Sequence, residues 1–116
     1  MHRRSQTTLL TPFCELETSN ALELRIFRRE LALKEVLAAR AQLGGLIASG
    51  WLLRQLMPED TFLLATEMSS RHSASLGART LDILHVASAV LLEADHFLSF
   101  DDRQLRLARA EGLKVL

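Results

Sequence analysis

The residues most informative about the fold class are 79–92, which read RTLDILHVASAVLL. From Ile83 to Leu92 nearly every side chain is apolar or small, and this pattern predicts a helix buried on most of its sides. Thr80 is expected to cap the helix. Asp82 lies near its start, in line with Val86 and Ala89 on one face, so a carboxylate is predicted at a position that otherwise resembles core.

Short apolar runs and helical patterns alternate on both sides of this helix. Upstream, the pattern predicts a strand at 7–11, helices at about 13–29 and 31–49, a strand at 51–56 and a helix from Pro58 to about Ser75. Downstream, it predicts a strand at 96–100, a helix at 101–111 and a last strand at 113–116. The Gly44-Gly45 pair is expected to kink the second helix or to mark a close packing point. The order favours an α/β fold: a three-layer α/β/α sandwich with a mainly parallel sheet, formed as a single domain by residues 1–116.

Composition excludes several classes of protein. Fourteen basic and fourteen acidic side chains cancel over 116 residues, which excludes polybasic nucleic-acid binding but not a local basic patch. The single cysteine, Cys14, excludes an internal disulfide and a structural zinc cluster. The longest uncharged stretch, 41–53, is shorter than the ~20 apolar residues of a membrane span. No secretion signal is recognised at the start, so we expect a cytoplasmic protein without a membrane segment.

Three carboxylates lie at positions where a doubly wound sheet usually forms its ligand-binding site. They are Glu17, Asp82 and Asp101. Two lie near helix starts and Asp101 follows a predicted strand, and such sheets bind ligands at the carboxyl ends of their strands. Buried carboxylates are costly without a counter-charge, and a divalent cation is the simplest one. Hard oxygen ligands without clustered His or Cys favour Mg2+ or Mn2+.

Each acid also has a simpler explanation. Negative charge is favourable in the first turn of any helix, which applies to Glu17 and Asp82. Asp101 followed by Gln104 is typical of a capping box. Ser99 near a strand end is expected to bond to backbone, although a contact with a metal-bound water or a phosphate is the alternative. His85 is expected to be a core histidine whose ring is hydrogen-bonded.

Two segments resemble the second half of a PIN domain, particularly VapC-type toxins of bacterial toxin–antitoxin pairs. They are Arg79-Thr-Leu-Asp82-Ile-Leu-His85-Val-Ala87-Ser-Ala89, and Ala94-Asp-His-Phe97-Leu-Ser99-Phe-Asp101-Asp-Arg-Gln-Leu105 with the later Glu111-Gly112-Leu113. Thr11-Pro12 and Glu17-Thr-Ser-Asn20-Ala21-Leu22 resemble the family's first half more loosely.

The resemblance implies an endoribonuclease that holds Mg2+ or Mn2+ with about four acids. Glu17, Asp82 and Asp101 correspond to the second, third and fourth of these acids. Ser99 stands where the family often has Thr or Ser beside the metal, and Asp102 is a neighbour that could assist. The implied partners are an RNA substrate and an antitoxin protein.

One departure from the family affects the expected activity. Family members begin with a strand that ends in the first metal-binding aspartate, whereas the residues before Thr7 here are MHRRSQ. We therefore expect impaired cleavage, and strand edges that pair directly between Thr7 and Phe97 or in a homodimer. The alternative is a non-catalytic, PIN-derived interaction module that dimerises or binds an antitoxin-like partner. A helical DNA-binding domain built on Arg25, Arg28 and Arg29 is the weakest interpretation, since a solvated helix face explains these residues.

Overall fold

Helices and short parallel strand pairs make up the part of the chain that the computed structural model describes, residues 8–99 and 101–115. The chain divides into two compact units, Met1–Leu56 and Met57–Leu116. The mixed helix and strand content agrees with the predicted α/β class. The single domain of residues 1–116 stays a prediction. No helix among the described residues is long and apolar enough to cross a membrane.

The first unit contains two helices between two strands: β1 (Thr8–Leu10), α1 (Pro12–Phe27), α2 (Leu33–Ala48) and β2 (Leu52–Arg54). The strands β1 and β2 pair in parallel, with Thr8 opposite Leu52. Thr11 follows the first strand directly and caps α1, since its hydroxyl accepts a hydrogen bond from the Cys14 N–H at 3.2 Å. Pro12 then begins the helix, where its missing N–H costs nothing.

Few side chains of the first unit are buried. Leu10 and Val36 are its buried apolar residues among those described, whereas Phe27, Trp51 and Leu56 are 82%, 65% and 75% exposed. The two helices are joined by a polar contact in which Arg40 donates to the hydroxyl and the carbonyl of Ser19, at 2.8 and 3.2 Å. The unit therefore carries much of its apolar surface outward.

The second unit is built mainly of helices around α5, the helix predicted from residues 79–92. Its elements are α3 (Thr61–Met68), a π-helical segment (Ser69–Ser73), α4 (Ala74–Leu76), α5 (Thr80–Leu91), β3 (His96–Phe97), α6 (Asp102–Ala110) and β4 (Lys114–Val115). The strands β3 and β4 pair in parallel, with His96 opposite Lys114 and Phe97 opposite Val115.

The core of the second unit lies where α3, α5 and α6 meet. Its fully buried apolar side chains come from each of the three helices, namely Met68, Val86, Ala87, Leu107 and Ala108. The apolar run of α5 is thus buried, as its sequence predicts. Removing such surface from water is the main favourable contribution to folding, at roughly 25 cal/mol per Å².

Three sequence predictions about local structure are wrong. Pro58 does not begin a helix: it precedes a turn in which Thr61 donates from its hydroxyl to the Pro58 carbonyl at 2.6 Å, and α3 starts at Thr61. Thr80 is the first helical residue of α5 and not its cap, because Arg79 takes the cap position. The close packing point expected at the Gly44-Gly45 pair is absent: α2 runs unbroken through the pair, and nothing beyond the adjoining residues and the helix's own backbone lies within 4 Å of an added Cβ.

The predicted helix from 58 to 75 is also interrupted, since a π-helical segment separates α3 from α4. Among the described residues, β1 pairs with β2 and β3 with β4. The expected pairing between Thr7 and Phe97 stays a prediction. Thr7, Phe100 and Leu116, which the predicted strands include, lie outside the described residues.

Candidate functional site

Asp82 is a buried carboxylate in the first turn of α5. Its side chain is 1% exposed, among the most buried polar groups described. The Oδ2 atom accepts hydrogen bonds from the backbone N–H of Arg79 at 3.1 Å and from its Nε at 3.3 Å. The backbone bond satisfies the N–H of the cap residue, as the third helical residue does in a capping box. The local chain thus orients this carboxylate.

Asp101 caps the next helix, α6. Its Oδ1 accepts from the backbone N–H of Arg103 at 2.9 Å, so the predicted cap is confirmed. Its Oδ2 accepts from Nη2 of Arg79 at 3.2 Å. In a full capping box, the Gln104 side chain would accept from the backbone N–H of Asp101. Here the Gln104 side chain bonds to Ser99 instead.

Arg79 therefore joins the two predicted site acids of the second unit. Its guanidinium bonds to Asp82 and to Asp101, which places the two carboxylates beside one positive charge. The sequence predicted that a buried carboxylate here would need a counter-charge, and the structure gives Asp82 one from within the chain. Charge-assisted bonds of this kind are stronger than neutral ones, although exposure of the arginine weakens the ion pairs.

Ser99 and Gln104 shape the turn that precedes α6. The Ser99 hydroxyl accepts from the backbone N–H of Asp101 at 3.0 Å and donates to Oε1 of Gln104 at 2.8 Å. The expectation that Ser99 bonds to backbone is thus confirmed. Asp102 is the first residue of α6 and exposed, and its carbonyl accepts from Nε of Arg106 at 3.4 Å. These contacts hold Asp101 at the start of the helix.

Glu17, the third predicted site acid, lies in α1 of the first unit and is half-buried. Its grouping with Asp82 and Asp101 stays a prediction. Across residues 8–99 and 101–115, no group of three or more His, Cys, Asp or Glu side chains is arranged to hold a metal ion. The structure thus brings together two of the three acids.

A second polar cluster in the structure could not be predicted from the sequence. Glu111, at the end of α6, lies 2.6 Å from Nε2 of His72 and accepts from Nη2 of Arg71 at 3.0 and 3.1 Å. Burial raises the pKa of the Glu111 carboxyl, but the hydrogen bonds from His72 and Arg71 outweigh it, so the pKa lies below its ordinary value. No sequence pattern connects residues this far apart.

An exposed pair lies in the first unit, where Nε of Arg54 donates to Glu15 at 2.7 Å. This hydrogen bond and the positive charge of Arg54 lower the pKa of Glu15. Pairs at the surface contribute little to stability. This pair joins β2 to α1, and none of its contacts indicates a catalytic or ligand-binding role.

Comparison of the chain with protein-family models, with curated proteins and with solved structures finds no match. Any function assigned to the chain therefore depends on its own residues and their geometry. The pair Asp82 and Asp101, held beside Arg79, is the arrangement that comes nearest to a chemical site.

Proposed function

We propose that the chain is a PIN-like, metal-dependent endoribonuclease of the VapC toxin type, with impaired cleavage. The proposal includes the finer fold, a three-layer α/β/α sandwich with a mainly parallel sheet. The two parallel strand pairs support the α/β class on which this finer fold is proposed. One observation carries the functional part: Asp82 and Asp101, on separate elements, converge on one guanidinium.

The chemistry of this pair suits a hard divalent cation. Carboxylate oxygens are the ligands that Mg2+ and Mn2+ prefer, and Asp82 and Asp101 would hold the ion, with Glu17 added by the resemblance. When bound, such an ion lowers the pKa of a water molecule and offsets negative charge on a phosphate. The family's first acid has no counterpart among the acids named here, which leaves three of about four, and this is why we expect weak binding and slow cleavage.

The chain's own residues orient the two acids before any ligand arrives. The backbone N–H of Arg79 holds Asp82, and that of Arg103 holds Asp101. Ser99 fixes the backbone of Asp101 in turn. Fixed hydrogen bonds of this kind lower the cost of arranging ligands, as supporting residues do around metal sites. Ser99 therefore positions an acid in this proposal, and Asp102 lies beside it.

Cleavage of RNA by the full chain tests this proposal. We expect slow, metal-dependent cleavage of a mixed-sequence RNA with Mg2+ or Mn2+, reduced to background in Asp82→Asn. Asp60→Asn is the matched control, because Asp60 is exposed and its side chain makes no capping bond. Cleavage that persists in Asp82→Asn, or no cleavage with either metal, would contradict the proposal.

A second function is favoured by the outward apolar surface of the first unit. Phe27, Trp51 and Leu56 are each exposed, and large apolar side chains left outward in this number are a reason to look for a protein interface. We propose, as the alternative, a non-catalytic module that forms a homodimer or binds an antitoxin-like protein. Size-exclusion chromatography with light scattering tests the dimer: wild type and Asp82→Asn should both be dimeric, and Trp51→Asp monomeric. A monomeric wild-type chain would contradict it.

A further inference from the structure

The exposed side of α6 carries an arginine at every third position, namely Arg103, Arg106 and Arg109. At 3.6 residues per turn, the three lie within a sector of about 120° and extend about 9 Å along the helix axis. The opposite side of the helix is buried and consists of Gln104, Leu107 and Ala108. Burial of that side keeps the three arginines on the outside. We call them the arginine face of α6.

The arginine face of α6 has no acidic partner. In the part of the chain that the structure describes, no carboxylate lies within 4.0 Å of its guanidinium groups. Asp102, on the same side of the helix, contacts Arg106 through its backbone carbonyl, which accepts from Nε at 3.4 Å. Other described arginines are each paired with an acid, namely Arg25, Arg40, Arg54, Arg71 and Arg79. The positive charge of this face is thus left to a partner.

This surface fits a chain of phosphates better than it fits a protein. Protein interfaces are anchored by large apolar or aromatic side chains, and none of the large apolar residues of α6 is exposed. A phosphate requires only the charge and the planar donors that arginine supplies. The helix, DRQLRLARA, also contains no aromatic side chain on which a base could stack. The contact is therefore expected with the backbone of a nucleic acid and not with its bases.

We propose that the arginine face of α6 binds the phosphate backbone of single-stranded RNA independently of base sequence. The choice of RNA rests on the proposed function, because this face begins two residues after Asp101. RNA that lies along α6 reaches the start of the helix, where Arg79 joins Asp82 and Asp101. The binding itself requires neither a metal ion nor the Asp82 carboxylate, so it can be measured separately from cleavage.

Fluorescence anisotropy of a labelled oligouridine RNA, titrated with the full chain, measures this binding. EDTA is present and no metal is added, so that the RNA stays intact. Arg103→Gln, Arg106→Gln and Arg109→Gln are combined in one variant, the α6 variant, which removes the three charges. These side chains are exposed and make no ion pair in the described residues, so the variant should keep the Tm of wild type.

The matched control removes three arginine charges from the first unit. It combines Arg25→Gln, Arg28→Gln and Arg29→Gln, which changes the net charge by the same amount. There, Arg25 is already paired with Glu30 at 3.6 Å. A general effect of net charge would weaken RNA binding equally in both variants, whereas a local contact with α6 would not.

We expect the α6 variant to raise the RNA dissociation constant at least about tenfold at about 0.1 M salt. For single strands, each neutralised phosphate contributes about 0.7 to the slope of log K against log salt concentration, so the slope should fall by about 2. The control should leave both quantities nearly unchanged. Oligoadenosine should give the same differences as oligouridine, because the bases are not contacted.

A lysine variant tests whether charge is responsible. Arg103→Lys, Arg106→Lys and Arg109→Lys together keep the three charges, so the salt slope and most of the affinity should be retained. Four results would overturn the proposal: no RNA binding by wild type, equal losses in the α6 variant and the control, a loss with lysine as large as with glutamine, or displacement of the RNA by polyglutamate at equal charge.

The outcome also separates this inference from the nuclease proposal. If the α6 variant loses RNA binding but wild type cleaves no RNA with Mg2+ or Mn2+, the arginine face stands and the nuclease is wrong. If Asp82-dependent cleavage occurs and the α6 variant binds RNA as wild type does, the nuclease stands and the arginine face is wrong.

Discussion

Nε2 of His72 lies 2.6 Å from Oε2 of Glu111, and the same carboxylate accepts two hydrogen bonds from Arg71. The contact joins the π-helical segment that follows α3 to the end of α6. The Glu111 side chain is largely buried, and Arg71 contacts it from a more exposed position. This cluster therefore stabilises the second unit independently of Asp82 and Asp101.

Removal of the Glu111 charge should destabilise the second unit. Glu111→Gln is expected to lower the free energy of unfolding by about 1–3 kcal/mol, because it breaks charge-assisted bonds to a half-buried histidine and an arginine. Glu67→Gln is the control: its carboxylate is exposed and lies 4.0 Å from Arg71, so the change should stay within about 0.5 kcal/mol. Urea denaturation measures both, and equal effects would contradict the assignment.

The same carboxyl predicts how stability depends on pH. Its pKa in the folded chain lies below the ordinary value of 4.5, so ionised Glu111 stabilises the fold above that value. The contribution is lost as the pH falls through the lowered pKa. We expect the Tm to decline below about pH 4.5 more steeply in wild type than in Glu111→Gln. Parallel declines would show that Glu111 is not responsible.

Core packing differs between the units, and two leucines test the difference. Leu107 is fully buried in α6, whereas Leu37 in α2 is exposed. Leu107→Ala is expected to cost about 2–5 kcal/mol, from lost burial and the cavity left behind. Leu37→Ala should change the free energy of unfolding by no more than about 0.5 kcal/mol. A large loss from Leu37→Ala in urea denaturation would mean that its side chain is covered in solution.

Replacing Gly77 and Gly45 with alanine should change the free energy of unfolding in opposite directions. Gly77 has a φ of 66°, which L-residues adopt at a cost, so Gly77→Ala should destabilise the chain by about 1 kcal/mol. Gly45 lies inside α2 with open space around an added Cβ. Gly45→Ala should stabilise the chain by about 0.5–1 kcal/mol. Thermal unfolding of both variants checks the signs.

Helix α5 could be predicted from sequence because its signal is local. An apolar run from Ile83 onward is long enough to require burial, and the structure buries it. The limits of α1 and α2 also follow from local pattern to within a few residues. The start of α3 could not be predicted from local pattern, because the turn at Pro58 depends on a hydrogen bond from Thr61 that competes with helix formation.

The arrangement of the candidate site depends on contacts that no local pattern encodes. Asp82 and Asp101 could be singled out as acids at core-like positions. The bridging role of Arg79 could not, because Arg79 and Asp101 are 22 positions apart. The sequence favours a divalent cation as the counter-charge for Asp82. In the structure, the positive charge beside Asp82 is that of Arg79, which precedes the helix.

Whether Asp82 and Asp101 form one cation site can be measured by nuclear magnetic resonance with Mn2+ as a paramagnetic probe. At substoichiometric Mn2+, amide signals from the start of α5 and from the turn before α6 should broaden together. Both sets should stay sharp in Asp82→Asn. Broadening of only one set, or broadening that persists in Asp82→Asn, would contradict a shared site at these two acids.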